Sequence, residues 1–315
     1  MRLLVLGGTK YIGRHLVEHA LAEGHDVTLF NRGRTGADLF PGVSRLVGDR
    51  RDDGDPEGLA ALGTGSWDAV LDFSGFLPAQ VASTARLLAA RVGHYTFMSS
   101  IAVYPRTAQT GLDESTPVRT LVPVPGSPES EGFTADTYGP LKAACEQAVE
   151  AALPGRSSSV RCGLVIGPGD PFGAFASWAV AMAGDRPVPC AARPEQPLQL
   201  TDVRDLVSFM VRTGTVPLPG IFNVMSAPIT FADMLEQCRS AGGPSAATVR
   251  WTEQENVDEH GAGIVQPRDG SEDSVFRLDC SRALEAGFRP RPFAETARDT
   301  IAWARRTSPV FTSPH

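Results

Sequence analysis

Residues 2–6 (Arg-Leu-Leu-Val-Leu) form a short apolar run that stops at Gly7-Gly8. A run this short and this continuous predicts a strand buried on both faces, as in a parallel sheet. Over residues 14–23 the apolar positions change to helical spacing. Leu16, Val17, Ala20 and Leu21 share one face, and Gly24 stands where that helix would end. A second strand is predicted at Asp26–Phe30, which completes a strand–turn–helix–strand unit. The alternation continues, with strands predicted at 44–47, 69–73, 95–99 and 159–164 and helices at 78–91 and 137–153.

At least six strands alternating with helices predict an α/β fold, a doubly wound parallel sheet of Rossmann-like type. The rhythm breaks at residues 105–136, which carry five prolines and no clear period. A loop this long inside a compact domain is usually functional or disordered. Beyond residue 167 the pattern turns irregular, with one helix predicted at 173–183. Residues 243–275 are polar and Gly-rich, and 306–315 read as a frayed tail.

The chain has 315 residues, 42 % apolar and 21 % charged, the balance of a globular protein rather than a disordered one. No apolar run approaches the roughly 18 residues of a membrane helix. The N-terminus reads as a buried strand rather than a leader, so a cytoplasmic protein without membrane partners is expected. A net charge of −7 disfavours non-specific nucleic-acid binding. The five cysteines are an odd number without metal-type spacing, so free thiols and no metal site are expected. His15 and His19 are four apart with no further ligand near them, which predicts a helix face. Of the 29 basic residues only Lys10 and Lys142 are lysine, and both fall inside the motifs described next.

The first turn reads Gly7-Gly8-Thr9-Lys10-Tyr11-Ile12-Gly13. Between a first strand and a helix, such glycines let the backbone approach a pyrophosphate, while the helix N-terminus offers free N–H groups. An acidic residue at the end of the second strand would hold the ribose hydroxyls of NAD. Asn31 stands there, followed by Arg32 and Arg34. With Lys10 these charges suit the 2′-phosphate of NADP, which is weighed slightly above NAD.

Tyr138 and Lys142 are spaced i, i+4 on a predicted helix and share a face. Moving a tyrosine from about 10 to about 7 takes roughly 4 kcal/mol. A cation about 4 Å away at an effective dielectric of about 20 supplies on the order of 4 kcal/mol. Lys142 is therefore expected to lower the Tyr138 phenol, and Ser99-Ser100 end the fifth strand where such sheets bind ligands.

These segments together resemble the short-chain dehydrogenase/reductase superfamily, in its extended branch of NAD-dependent epimerase/dehydratases. The resemblance is carried by the Gly turn, Gly48-Asp49, Phe73-Ser74-Gly75-Phe76, Ser99-Ser100 with Val103-Tyr104, and Tyr138/Lys142. Further along come Arg161 to Pro168, Thr201 to Leu206, Gly220 to Asn223, and Asp279 to Pro290. It implies Ser100, Tyr138 and Lys142 as the catalytic set. It places Asp49-Arg50 at the adenine, Phe73, Ser74, Gly75 and Ser99 along the cofactor cleft, and Cys162, Leu164 and Val165 beside the nicotinamide. It also implies a cofactor-binding unit of residues 1–166 plus about 199–224, a smaller C-terminal substrate-binding domain of about 167–198 plus 225–315, and a homodimer.

Departures narrow the chemistry. Sugar dehydratases of the branch carry Asp-Glu after the catalytic hydroxyl; here Ile101 and Ala102 cannot move protons. Leu164 stands near where nucleotide-sugar epimerases carry an Asn. Phe76, Phe172, Phe175 and Trp178 are candidates to line a substrate pocket, although core packing is the stronger expectation for the last three. Arg204 is a candidate for an anionic or hydroxylated substrate. Lys10 in the turn and Asn-Arg-Gly after the second strand resemble atypical members such as chloroplast stem-loop RNA-binding proteins. Three functions stand in order: an NAD(P)-dependent oxidoreductase on the carbonyl or alcohol of a hydroxylated small molecule, an epimerase working through a keto intermediate, and a non-catalytic cofactor- or RNA-binding protein.

Overall fold

The computed structural model describes residues 1–50, 56–107, 109–121, 134–253 and 264–309. Its centre is a seven-stranded sheet: β1 (Arg2–Leu6), β2 (Asp26–Asn31), β3 (Ser44–Val47), β4 (Trp67–Asp72), β5 (Val92–Ser100), β6 (Ser157–Cys162) and β7 (Gly220–Val224). The order is β7-β6-β5-β4-β1-β2-β3, and every neighbouring pair is parallel. The order reverses between β1 and β4, so a crevice opens at the carboxyl ends of these two strands, where such sheets take ligands.

The continuous apolar run of β1 is explained by burial on both sides. Leu3 and Val5 face one core together with Leu16, Val17 and Val207, whereas Leu4 and Leu6 face another with Val81, Tyr95 and Cys145. Helix α1 (Tyr11–Ala22) and a later helix, Val203–Thr215, cover the first face. Helices α2 (Pro78–Leu88) and α3 (Ala135–Ala152) cover the second. Helix α3 begins two residues earlier than predicted because Thr134 and Thr137 form a reciprocal capping box.

The predicted strand 159–164 divides in two. β6 ends at Cys162, and Leu164–Ile166 pairs instead with Leu200–Asp202. The break falls at Gly163, where a Cβ would lie 2.4 Å from Met225 Sδ.

The latter half is more regular than predicted. It holds α4 (Ala174–Met182), α5 (the helix Val203–Thr215), α6 (Phe231–Ala241) and α7 (Phe293–Thr307). Helices α4, α6 and α7 enclose a second core that includes Phe175, Trp178, Phe231, Leu235 and Ile301. Parts of the long loop (108 and 122–133), of the polar stretch (254–263) and of the predicted tail (310–315) lie outside the described residues. Among the described residues no helix is long and apolar enough to cross a membrane.

Candidate active site

The turn between β1 and α1 is built by glycine. Gly7 and Gly8 have φ of +112° and +95°, which side chains rarely adopt. A Cβ at Gly13 would lie 2.3 Å from the Phe73 ring and 3.0 Å from Gly8 Cα, so only glycine lets the turn close on the end of β4. Lys10 is the N-cap of α1 and provides no side-chain acceptor, which leaves the first-turn N–H groups for an anion. Asn31 Nδ2 donates to the Gly7 carbonyl at 2.9 Å and its Oδ1 accepts from Gly33 N at 3.0 Å, so Asn31 ties β2 to the turn. Thr9 and Ile12 are half-buried, and Lys10, Arg32 and Arg34 are exposed. The Tyr11 ring packs edge-on against His15, and its hydroxyl is buried beside Gly167. Burial, with Asp170 and Asp202 nearby, raises this phenol well above its ordinary value. The donor set and the glycine cradle fit a dinucleotide pyrophosphate, with the exposed cations at its rim.

At the end of β3, Asp49 is half-buried and Arg50 is buried. Arg50 was expected at the cofactor, but its Nη1 lies 2.8 Å from both oxygens of Asp72. Tyr95 Oη donates to the same carboxylate at 2.7 Å, and Ser74 N donates to it at 3.1 Å. The guanidinium thus holds the ends of β3 and β4 together. Phe73 and Ser74 are half-buried and Gly75 is buried at the mouth of the crevice.

Ser100 ends β5 and caps the short turn Ile101–Val103 by accepting from Ala102 N at 3.2 Å. The Tyr138 hydroxyl is hydrogen-bonded to the Ser100 side chain, which lowers its pKa, but burial dominates and pushes the phenol up to about 12. The i, i+4 spacing does set Lys142 one turn away, yet its Nζ donates to the carbonyls of Gly75 and Met98, each at 2.8 Å. It also lies 4.7 Å from the Phe97 ring centroid and 4.9 Å from that of Phe76. Lys142 therefore anchors α3 to β5 and to the segment that follows β4, and burial lowers its own pKa. The expected depression of Tyr138 does not arise from the protein alone. Cys162 Sγ donates to Ser99 O at 3.7 Å, and burial pushes that thiol up to about 11. Leu164 and Val165 are half-buried just beyond it.

The residues expected at a substrate separate into two groups. Phe76 and Phe172 are 40 % and 49 % exposed, while Phe175 and Trp178 are fully buried in the second core. Arg204 is bound at 2.7 Å to Asp202 and at 2.6 Å to Asp299, so its charge serves the start of α5.

A buried network behind the site was not identified from the sequence. Arg161 Nη2 donates to Glu146 Oε2 at 2.6 Å and its Nη1 to Tyr104 Oη at 2.8 Å. Tyr104 Oη in turn donates to Asn223 Oδ1 at 2.8 Å, and Ser99 Oγ donates to Glu146. The available signal was Glu146, one turn beyond Lys142 on the face that carries Tyr138.

Residues 3–224 match the family model described as the NAD dependent epimerase/dehydratase family. The chain belongs to that family. Its fold is shared with the UDP-glucose 4-epimerase of Thermus thermophilus solved with NAD, at 22 % identity and a TM-score of 0.69 over 98 % of this chain and 100 % of that one. The UDP-N-acetylglucosamine 4-epimerase of Methanobrevibacter ruminantium superposes with a TM-score of 0.70 at 16 % identity, over 97 % and 98 % of the two chains. A curated relative is the chloroplast stem-loop binding protein of 41 kDa b from Arabidopsis thaliana. It is 26 % identical over 276 residues, 81 % of this chain and 67 % of that protein. This epimerase/dehydratase family member thus has the fold of sugar-nucleotide epimerases and a sequence relative among stem-loop binding proteins.

Proposed function

We propose that this chain is an NAD-dependent epimerase acting on a secondary alcohol of a hydroxylated, sugar-like small molecule through a keto intermediate. The observation that carries the reading is the Tyr138–Ser100 hydrogen bond at the end of β5, held by Lys142 across the crevice from the glycine turn. Gly7, Gly8, Gly13 and the first turn of α1 would hold the cofactor pyrophosphate, Asn31 and Asp49 its adenosine half, and Phe73, Ser74 and Cys162 to Val165 the nicotinamide half. When bound, the oxidised nicotinamide supplies a hydride acceptor and a positive charge that favours the Tyr138 phenolate.

The chain's own residues manage the proton. Tyr138 Oη takes the proton of the substrate hydroxyl as its carbon is oxidised, and returns it to the oxygen when the carbonyl is reduced on its other face. Ser100 Oγ donates to the same oxygen while it is a carbonyl. Lys142 keeps α3 seated on β5 and on the segment that follows β4, so that Tyr138 and Ser100 stay in register. Ile101 and Ala102 follow Ser100 in the short turn and have no group to expel water, which sets the reading apart from a dehydratase.

Mass spectrometry of small molecules released on denaturation tests the cofactor. Stoichiometric NAD, with UDP-glucose or UDP-N-acetylglucosamine epimerised and no net NADH formed, is the expected result. A protein that releases no cofactor and consumes NADPH with a carbonyl probe would replace this reading with the dissociable oxidoreductase. If NADP is the cofactor, Arg32→Ala weakens it more than NAD in a fluorescence titration, and equal losses would remove Arg32 from 2′-phosphate recognition. Tyr138→Phe is expected to lose turnover by about 10²-fold or more while still binding cofactor. Near wild-type turnover in that variant would overturn the proposal.

A further inference from the structure

Helix α3 carries the proposed acid/base in its first turns and also contains Pro140. Proline has no backbone N–H, so the carbonyl four residues earlier loses its helical donor, and the ring crowds that carbonyl. That carbonyl belongs to Asp136, two residues before Tyr138. A donor from another segment fills the gap: Arg119 Nη2 donates to Asp136 O at 2.9 Å. The Arg119 backbone is itself fixed, with its N–H donating to Val103 O at 2.7 Å, in the short turn that Ser100 caps. Gly139 keeps the space open, because a Cβ there would lie 3.1 Å from Arg119 Nη1 and 1.9 Å from Ala102 O.

We infer that Arg119 is a positioning residue for the acid/base, standing in for the N–H that Pro140 lacks and fastening the first turns of α3 to the turn after β5. One guanidinium thereby sets the relative placement of Tyr138 and Ser100, which sit on separate elements joined by a long loop. The inference rests on the proposed role of Tyr138 but is read out without a substrate.

The full chain is labelled with 3-fluorotyrosine, which gives four sites: Tyr11, Tyr95, Tyr104 and Tyr138. Tyr138→Phe identifies its fluorine resonance, and NAD is present throughout. Arg119→Met keeps the aliphatic stem and removes the donors. It is expected to move or broaden the Tyr138 resonance by more than a linewidth while Tyr11 and Tyr95 keep theirs. Adding Pro140→Ala restores an N–H to Asp136 O and should return the resonance towards wild type. Where UDP-glucose or UDP-N-acetylglucosamine is turned over, kcat falls about tenfold or more in Arg119→Met and recovers in the double variant, with KM within about twofold. Should Arg119→Met fail to fold, folding of the double variant supports the same conclusion. An unmoved Tyr138 resonance, a displacement that Pro140→Ala does not reverse, or a double variant that also fails to fold would each overturn it. Failure of the epimerase reading would show up separately, as wild-type protein that epimerises neither UDP-sugar and consumes NADPH with a carbonyl probe, whatever the fluorine spectra show.

Discussion

The residue after Tyr138 provides the sharpest test of how tightly the site is assembled. Gly139→Ala places a Cβ 1.9 Å from the Ala102 carbonyl oxygen and 2.7 Å from its carbon, whereas real Cβ atoms essentially never approach within 3.0 Å. The first turns of α3 and the turn Ile101–Val103 must therefore separate by about 1.1 Å. Both partners are backbone, so no rotamer change can absorb the movement. The separation falls between Tyr138 and Ser100, and a displacement of about 1 Å between reacting groups costs on the order of 10²-fold in rate. Overpacking adds about 1–3 kcal/mol of instability, partly offset by the roughly 0.5–1 kcal/mol that alanine gains over glycine in a helix. The net is about 1–2 kcal/mol, a fall in Tm of roughly 2–3 °C for a chain of this length. Gly214→Ala in α5 is the control, because its Cβ would meet side chains and no backbone, Leu71 at 3.1 Å, Ala69 at 3.2 Å and Thr96 at 3.9 Å. Thermal unfolding and turnover on the substrate that wild type accepts are measured for both variants. A Gly139→Ala protein with wild-type Tm and kcat within twofold would show that α3 and the Ser100 turn slide freely, and the argument for a rigid Ser100–Tyr138 pair would fail.

Two further predictions concern buried charge. Burial first, and Arg156 second, lower the His94 imidazole from 6.5 to about 4. Its Nε2 lies 2.6 Å from Ser158 Oγ, which donates onward to Leu218 O, so the His94 Nε2–H is the donor in this pair. Between pH 6.5 and 4 the unfolded chain binds the extra proton, so stability falls as the pH drops through this window. The loss from this residue is on the order of 2 kcal/mol after discounting for screening. Chemical denaturation at pH 7.5 and 4.5 should show a smaller difference in His94→Gln than in wild type, and an equal difference would dismiss His94 as the source. Glu146→Gln leaves the 2 %-exposed Arg161 charge uncompensated and is expected to destabilise by about 3–5 kcal/mol. Glu146→Gln combined with Arg161→Met should cost less than the single change; a double variant that is less stable than the single would contradict this account.

The front half of the fold was legible because its signals are local. A short apolar strand, glycines at the turn and an amphipathic helix are all set by neighbours in sequence, and α1, α2 and the strands up to β6 lie within a few residues of their predicted places. Helix α4 falls on the predicted 173–183, whereas α6 and α7 were missed, for different reasons. Helix α7 buries Thr296, Ala297, Thr300, Ile301 and Ala304, and small or hydroxyl-bearing side chains leave little trace in an apolar pattern. Helix α6 was legible, through the reciprocal cap of Thr230 and Asp233 and through Phe231, Met234, Leu235 and Cys238 at helical spacing, but the segment is short and was passed over.

At the site, the residue types were readable and their partners were not. Arg50 and Arg204 look in the sequence like cations free to meet a ligand, but each is held by carboxylates: Asp72 for Arg50, and Asp202 with Asp299 for Arg204. Lys142 is held by carbonyls of β5 and of the segment that follows β4, which lie far from it in sequence. No spacing rule reveals such long-range partners, which arise only when the sheet brings strand ends together. The consequence bears on cofactor choice. Once the cations already paired are set aside, the preference between NAD and NADP rests, among the described residues, on the exposed Lys10, Arg32 and Arg34 around the glycine turn. Exposed cations are screened by salt within roughly 8–10 Å at physiological ionic strength. Any NADP preference they confer should therefore weaken as salt is raised, whereas the hold of the glycine turn on the pyrophosphate, made by backbone N–H groups at a helix start, should change less.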